Sequence, residues 1–416
     1  MPRRELPGGA MQPASLGLVG DSAPALNLFS EAAPPTVLVK NCSSTTLIHF
    51  ANQERVVREE VLIAILKAHF APRPGKRADL LFLPTSCEWT APDESQQAPP
   101  SLGYFAMVAI PWGAFPSAKR QMEPVLAQRW PDKMVVLSIE APSYAASWDG
   151  VAPNATLRSM GRWGRQHPPA NFMSIPYHTP RIPETVSSLE NRSFLAAFVG
   201  TVYIKRSSRP IGRSPLRERL LADCQSSAQN REECVVISDV PANETDAGDP
   251  THVLDRDAIY EDDEGVATAE LTTKVAAAYA NARFAFCPWG DTLTRKSIFD
   301  ALMHGSIPVF FEQSAVEQYA PLGPIANMSV VVPLSVVTPL GVGALSYLRS
   351  LPSDRVSALH DNVVRYRRQF HMPDSVDSHI PGDAVDNIVS RIATQFQFYS
   401  RTNGSMNDPS PLGDVV

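Results

Sequence analysis

The stretch "ARFAFCPWGDTLTRKSIFDALMHGSIPVFF", residues 282–311, decides how the chain folds. "ARFAFCP" is apolar and strand-like, and Gly290 with Asp291 supplies a tight turn at its carboxyl end. Helical spacing follows from Thr294 to His304, with Ile298, Phe299, Leu302 and Met303 on the core face and Gly305 suited to a left-handed C-terminal cap. "SIPVFFE" then returns as the next parallel strand. Strand, turn, helix and strand in this order are the unit of an open α/β sheet, which binds its ligands beyond the carboxyl ends of the strands.

A turn in that place selects for an anion. Free backbone N–H groups and the positive end of the helix dipole favour phosphate. Thr292, Thr294, Arg295 and Ser297 add side-chain donors, and the Arg295 guanidinium can hold two phosphate oxygens at once. Asp300, a turn or two further along, is placed to accept both hydroxyls of a ribose, so diphosphate plus ribose spells a nucleotide. The alternative is a capped helix with surface charges, in which Arg295 is solvated and Asp300 pairs with Lys296 at i,i+4. Neither the G-x-x-x-x-G-K-[ST] loop nor the G-x-G-x-x-G fingerprint occurs here.

Working outward, the same alternation recurs on both sides. "TVLVKNC" (36–42) and "ADLLFLPTSCEW" (78–89) read as buried strands around the helical "REEVLIAILKAHF" (58–70). "KMVVLSIEAPSY" (133–144) follows "MEPVLAQRW", and "FMSIPYHTP" (172–180) is a last strand before the prolines 176–183. A second lobe restarts at "SFLAAFVGT" (193–201) and continues through a basic loop into "SPLRERLLADC" (214–224), with Ser214 as N-cap and Pro215 at the first helical position. "ECVVISDV", an acidic loop leading into a helix, the opening stretch, "SVVVPLS" and the helical "VRYRRQF" and "AVDNIVSRIATQFQFYS" complete the chain. The expected division is a disordered segment 1–35, a first lobe 36–185, a second lobe 186–345, helices 346–400 and a disordered tail 401–416.

Length and composition agree with two lobes: the chain has 416 residues, 44% of them hydrophobic and 19% charged. A net charge of −6 argues against a general nucleic-acid binder, so any anion site is local. No run of about eighteen apolar residues occurs, and the first thirty-five residues lack a clear apolar signal core. Six of the fourteen asparagines, Asn41, Asn154, Asn191, Asn243, Asn327 and Asn403, open an N-x-[ST] triplet, which leans towards a secretory compartment. The five cysteines form no CxxC pattern, and Cys224 and Cys234 are close enough in sequence to pair. "DRD" (255–257) has the form of a metal-binding carboxylate pair and "EDDE" (261–264) that of a solvated run; neither is assigned a metal. Trp289 either stacks on a base or sugar or covers the core, and Cys287 reads as a small buried hydrophobe.

The residues 284–311 also resemble the donor-site signature of the exostosin family of glycosyltransferases, closest to its plant xyloglucan galactosyltransferase branch. That signature reads approximately F-C-L-x-P-x-G-D-[ST]-x-T-R-[RK]-S-x-F-D-[SA]-[IML]-x-x-G-[CS]-[IV]-P-V-F-F, and the chain follows it without a gap. Ala285 replaces the usual Cys, Cys287 precedes the proline, and Ser306 follows the glycine. "RSFLAAFVGTVYIKRSSRPIGRSPLRERLLADC" (192–224) and "ADLLFLP" (78–84) are similar to further family stretches in the same order.

The resemblance implies a GT-B fold, two Rossmann-like lobes with parallel sheets facing a cleft, the nucleotide sugar on the C-terminal lobe and the acceptor on the N-terminal one. It implies inverting transfer from a UDP-sugar, UDP-galactose by the nearest branch, to a hydroxyl of a glycan or glycoprotein, with no metal or other cofactor, in the Golgi or another secretory compartment. Association with other glycosyltransferases is a further expectation, and a catalytically inactive scaffold is the alternative. Gly290, Asp291, Thr294, Arg295, Ser297 and Asp300 are then the donor-site residues. Lys205, Arg213 and Arg217 of the basic loop, with Arg206 beside them, would neutralise the diphosphate leaving group. The base candidates are Glu140, at the carboxyl end of "MVVLSIE", then Asp132, Asp149 and His178. The family's G-R-D-H form is missing around Asp132.

Overall fold

The computed structural model describes residues 34–39, 59–83, 103–108, 134–138, 171–179, 182–200, 202–204, 212–238, 252–253, 269–289, 293–320, 322–338 and 340–402. Of the segments 1–35 and 401–416, expected to be disordered, 1–33 and 403–416 lie outside these residues, as do the acidic loop and the "DRD" triplet, while Arg401 and Thr402 belong to the last helix.

The first sheet has five parallel strands in chain order: β1 (Val37–Val39), β2 (Leu80–Leu83), β3 (Gly103–Val108), β4 (Met134–Ser138) and β5 (Asn171–Ser174). All neighbours pair parallel. Helix α1 (Glu59–His69) crosses from β1 to β2 and buries Leu62, Ile65 and Leu66, the one-sided stripe its spacing predicts. The strand β3 has no counterpart in the sequence reading. Its run GYFAMV mixes the strand-favouring Tyr104, Phe105 and Val108 with Gly103, Ala106 and Met107, and pairing with β2 and β4 holds it in the sheet.

In the second lobe β6 (Phe194–Val199) leads to a small antiparallel hairpin of β7 (Tyr203–Ile204) and β8 (Gly212–Arg213), then to α2 (Pro215–Gln225) and α3 (Ala228–Glu233). Next come β9 (Cys234–Ser238), β10 (His252–Val253), α4 (Ala269–Asn281), β11 (Ala282–Phe286), α5 (Lys296–Met303), β12 (Ile307–Phe310), α6 (Ser314–Glu317) and β13 (Val330–Val331). The six strands other than the hairpin form one parallel sheet in the order β10-β9-β6-β11-β12-β13. Numbered from β6, that is 3-2-1-4-5-6, the Rossmann order, and it reverses direction between β6 and β11. Among the described strands only this sheet has such a reversal.

β11 and β12 are buried on both faces along most of their length, which is why they read as nearly unbroken apolar runs. Pro308 sits inside β12 without loss because the ladder to β13 begins one residue later, at Val309, so no donor is needed at the proline. A disulfide joins Cys224, in the last turn of α2, to Cys234, the first residue of β9.

At the other end of the helices, Arg192 is buried and holds four backbone carbonyls. Its Nη1 donates to Tyr279 and Ala282 at 2.9 and 2.7 Å, its Nη2 to His304 at 2.9 Å and its Nε to Ser187 at 3.2 Å. These include carbonyls at the C-terminal ends of α4 and α5, where a cation is favoured.

The last helices, α7 (Ala344–Arg349), α8 (Ser353–Tyr366) and α9 (Ala384–Thr402), follow the second sheet, and α9 reaches back to contact β3 of the first. The chain between the sheets runs beside the same C-terminal segment: Thr179 donates its N–H to Met372 at 3.3 Å, and His178 pairs with Met372 in an isolated bridge.

Candidate functional site

The strand order places the opening motif. The strand order reverses between β6 and β11, where an open α/β sheet forms its crevice, and the described residues that leave these two strands are the β7–β8 hairpin on one side and 287–289 with 293–295 on the other. Gly200, at φ +140°, turns the chain out of β6 through a region that favours glycine. The hairpin brings the chain back, and the Ser214 N–H closes on the Val202 carbonyl at 2.8 Å. Ser214 then caps α2, its side chain accepting from the Arg217 N–H, with Pro215 at the helix start.

Across the crevice, β11 ends at Phe286, and the Cys287 N–H still bonds the Val309 carbonyl at 2.9 Å. The helix starts two residues later than its spacing suggests. Arg295 is the N-cap, extended at φ −149° and ψ 143°, and no side chain caps the helix. Its first turn thus carries the dipole's positive end without a carboxylate to offset it.

The donor residues expected from the sequence separate into two groups. Thr294 is fully buried and its hydroxyl is hydrogen-bonded to Tyr319, whose ring in turn meets Phe299 edge-on at 5.2 Å. Thr294 therefore anchors the loop to the core through Tyr319. Ser297 is half-buried beside the Tyr279 hydroxyl and the Cys287 thiol.

Arg295 is half-buried at the helix start, and Arg217 is buried in the first turn of α2. The Arg217 Nε donates to the Trp289 carbonyl at 3.1 Å, tying one flank of the crevice to the other. Trp289 is half-buried and packs against the core. Cys287 is buried, and burial pushes its thiol pKa up to about 12, which suits a small core residue.

Asp300 is mostly buried, and Lys296 Nζ donates to both its oxygens at 2.6 and 2.8 Å. Burial raises its carboxyl pKa and Lys296 pulls the other way. This is the i,i+4 pair of the capped-helix alternative, with the lysine half exposed.

Of the base candidates, His178 lies in the segment between the sheets with Nδ1 hydrogen-bonded to the Pro373 carbonyl. A ring that donates Nδ1–H to a carbonyl holds its lone pair at Nε2 when neutral. Glu140, Asp132, Asp149, Gly290, Asp291, Thr292, Lys205, Arg206 and the Arg213 side chain lie outside the described residues.

One group of possible metal ligands comes together among the described residues: His379, Asp383 and Asp386, at the start of α9. Asp383 there is an N-cap with its acceptor positions filled. Oδ1 takes the N–H of Val385 and Asp386, and Oδ2 takes the Ile380 N–H and His379 Nδ1.

Two links in the site were not legible in the sequence. The Trp289 carbonyl is a backbone acceptor with no residue signature, and Tyr319 lies twenty-five residues from Thr294 with no local pattern to join them.

The Exostosin GT47 domain model matches residues 119–341, more than half of the chain. "Probable xyloglucan galactosyltransferase GT19" of Arabidopsis thaliana is 38% identical over 125 residues, covering 26% of this chain and 28% of that protein. "Probable xyloglucan galactosyltransferase GT15" of the same plant is 29% identical over 226 residues, covering 51% of this chain and 40% of its own length. The match thus spans less than half the length of either relative. Among solved structures, the glycotransferase of kitacinnamycin aligns over 88% of this chain and 98% of its own, at 12% identity and a TM-score of 0.34, a likeness too low to add to what the strand order shows. On the family match, with the motif at the turn of a Rossmann-ordered sheet, the chain belongs to the exostosin GT47 family.

Proposed function

We propose that the protein is an inverting glycosyltransferase that moves a sugar from a UDP-sugar, UDP-galactose by its similarity to xyloglucan galactosyltransferases, to a hydroxyl of a glycan or glycoprotein. The observation that carries this reading is the position of residues 287–289 and 293–297 at the strand-order reversal of the second sheet, beside an uncapped helix start. In this reading Arg295 and Arg217 hold the diphosphate, and their charge stabilises the leaving group as the glycosidic bond breaks. Asp300 accepts the ribose hydroxyls once the half-exposed Lys296 swings aside.

The base belongs to the acceptor side. Glu140 is the first choice, with Asp132, Asp149 and His178 behind it, and His178 holds the tautomer that a base needs. The Cys224–Cys234 disulfide and the six sequons support a secretory compartment.

Calorimetric titration with UDP, GDP and a panel of UDP-sugars, with and without a divalent cation, tests the proposal. Binding of UDP and one UDP-sugar is the expected result; no nucleotide binding would turn the assignment to the catalytically inactive scaffold, the reading favoured by the closed Asp300–Lys296 pair.

A further inference from the structure

Two of the six sequons fall on described residues at the same edge of the second sheet. Asn191 stands three residues before β6, and Asn327 three residues before β13. Because the sheet is parallel, both lie at its amino edge, about 14 Å apart across three strand spacings. The crevice opens at the carboxyl edge, about 20 Å away along β6.

The two triplets differ in what the fold leaves accessible. At 191–193 the chain leaves a short 3-10 turn, and Arg192 is extended at φ −92° and ψ 116°. Extended backbone sends alternate side chains to opposite sides. Arg192 points in, to its four carbonyls, while Asn191 and Ser193 are both exposed. At 327–329 only the asparagine is exposed. Met328 is buried, the Ser329 hydroxyl is buried and donates to the Ile325 carbonyl at 2.8 Å, and Asn362 of α8 donates to the Asn327 carbonyl. The enzyme that modifies a sequon reads the hydroxyl as well as the amide, and the fold hides that hydroxyl at Asn327.

We propose that Asn191 is an N-glycosylation site that the folded chain keeps available, carrying its glycan on the sheet edge opposite the crevice, whereas Asn327 is closed once the chain folds. The Asn191 amide nitrogen forms a bond to the anomeric carbon of an oligosaccharide carried on a lipid diphosphate. The bond from that carbon to the diphosphate oxygen breaks, the lipid diphosphate leaves with the electron pair, and one amide proton passes to the transferring enzyme's base. A glycan is bulky and solubilising, and at this edge it leaves the crevice uncovered. The inference rests on the secretory compartment proposed above.

The test is peptide mass spectrometry of the full chain recovered from its native cells, reading glycan occupancy at every sequon and the oxidation state of Cys224 and Cys234 in the same sample. The expected result is an occupied Asn191, occupancy at Asn327 lower than at Asn191, and loss of the Asn191 glycan in Ser193→Ala, which leaves the asparagine in place. A bare Asn191 beside an intact disulfide or another occupied sequon overturns the assignment and leaves the compartment standing. Bare sequons throughout with reduced cysteines overturn the compartment and the assignment together.

Discussion

The Nε of Arg217 and the carbonyl of Trp289 meet at 3.1 Å and bridge the two loops that leave the second sheet in opposite directions. This hydrogen bond joins a buried side chain on one flank to a backbone group on the other. Arg217→Ala removes the bridge and a cation together, and UDP affinity is expected to fall about tenfold to a hundredfold, from a charge-assisted bond of about 1.5–3 kcal/mol. Arg217→Lys keeps the charge but has no Nε to reach Trp289. It is expected to recover less than half of the lost binding free energy, read by calorimetry; full recovery would show that charge alone matters.

Arg295 is the uncapped start of α5. Arg295→Ala is expected to weaken UDP binding by at least tenfold with thermal stability within about 1 kcal/mol of the parent, because a half-buried cap residue with no capping bond contributes little to the helix. Unchanged UDP affinity would remove the donor-site assignment.

Asp300 and Lys296 make opposite predictions for stability and binding. Burial raises the Asp300 pKa above its unfolded value of 3.8, so its contribution to stability falls as pH rises from that value through the folded pKa. Asp300→Asn is therefore expected to leave the free protein equally or more stable at neutral pH while weakening binding of a UDP-sugar. Lys296→Ala frees the carboxylate from its partner and should tighten ribose recognition if Asp300 serves it. Thermal melts and nucleotide titrations on both variants read the two effects separately.

His379 lies between Asp383, at 2.7 Å from Nδ1, and Asp386, at 3.6 Å from Nε2, and its ring meets that of His69 on α1 at 4.4 Å between centroids. Burial alone would lower its pKa, but the bond to Asp383 and the two carboxylate charges raise it. A raised folded pKa means stability that is full below about 6.5 and is lost as pH rises through the folded value. His304 and His360, lowered chiefly by burial, contribute in the opposite sense and lose stability on acidification. The difference in melting temperature between the parent and His379→Ala is therefore expected to shrink from pH 6 to pH 9. A constant difference would assign His379 a packing role only.

Arg192 shares two of its four carbonyls with Ser306, whose hydroxyl bonds Tyr279 and Ala282 at 2.7 Å each. Arg192→Ala leaves the His304 and Ser187 carbonyls without this partner and is expected to cost about 3 kcal/mol, and Ser306→Ala about 1 kcal/mol. The double variant should cost more than the sum, since each residue backs up the other; chemical denaturation of the three variants measures the coupling.

The local chemistry of this chain was written in its sequence. Apolar spacing gave α1 and the face of α5, Ser214 with Pro215 marked the start of α2, and Gly305, at φ +80°, closed α5 as a left-handed cap. These features depend on residues within one or two turns, so a short window contains their cause.

What the window lacked was the order of the strands. The reversal between β6 and β11 arises from pairing of segments nearly ninety residues apart, and that brings the end of β11 beside the start of the basic hairpin. Side-chain direction was likewise decided at long range. Thr294 was assigned to the ligand because its type and position fit, and it turned inward because Tyr319 offered a buried partner. Donor and acceptor types can be counted along a sequence, but which of them face an open site depends on what the rest of the fold places opposite each one.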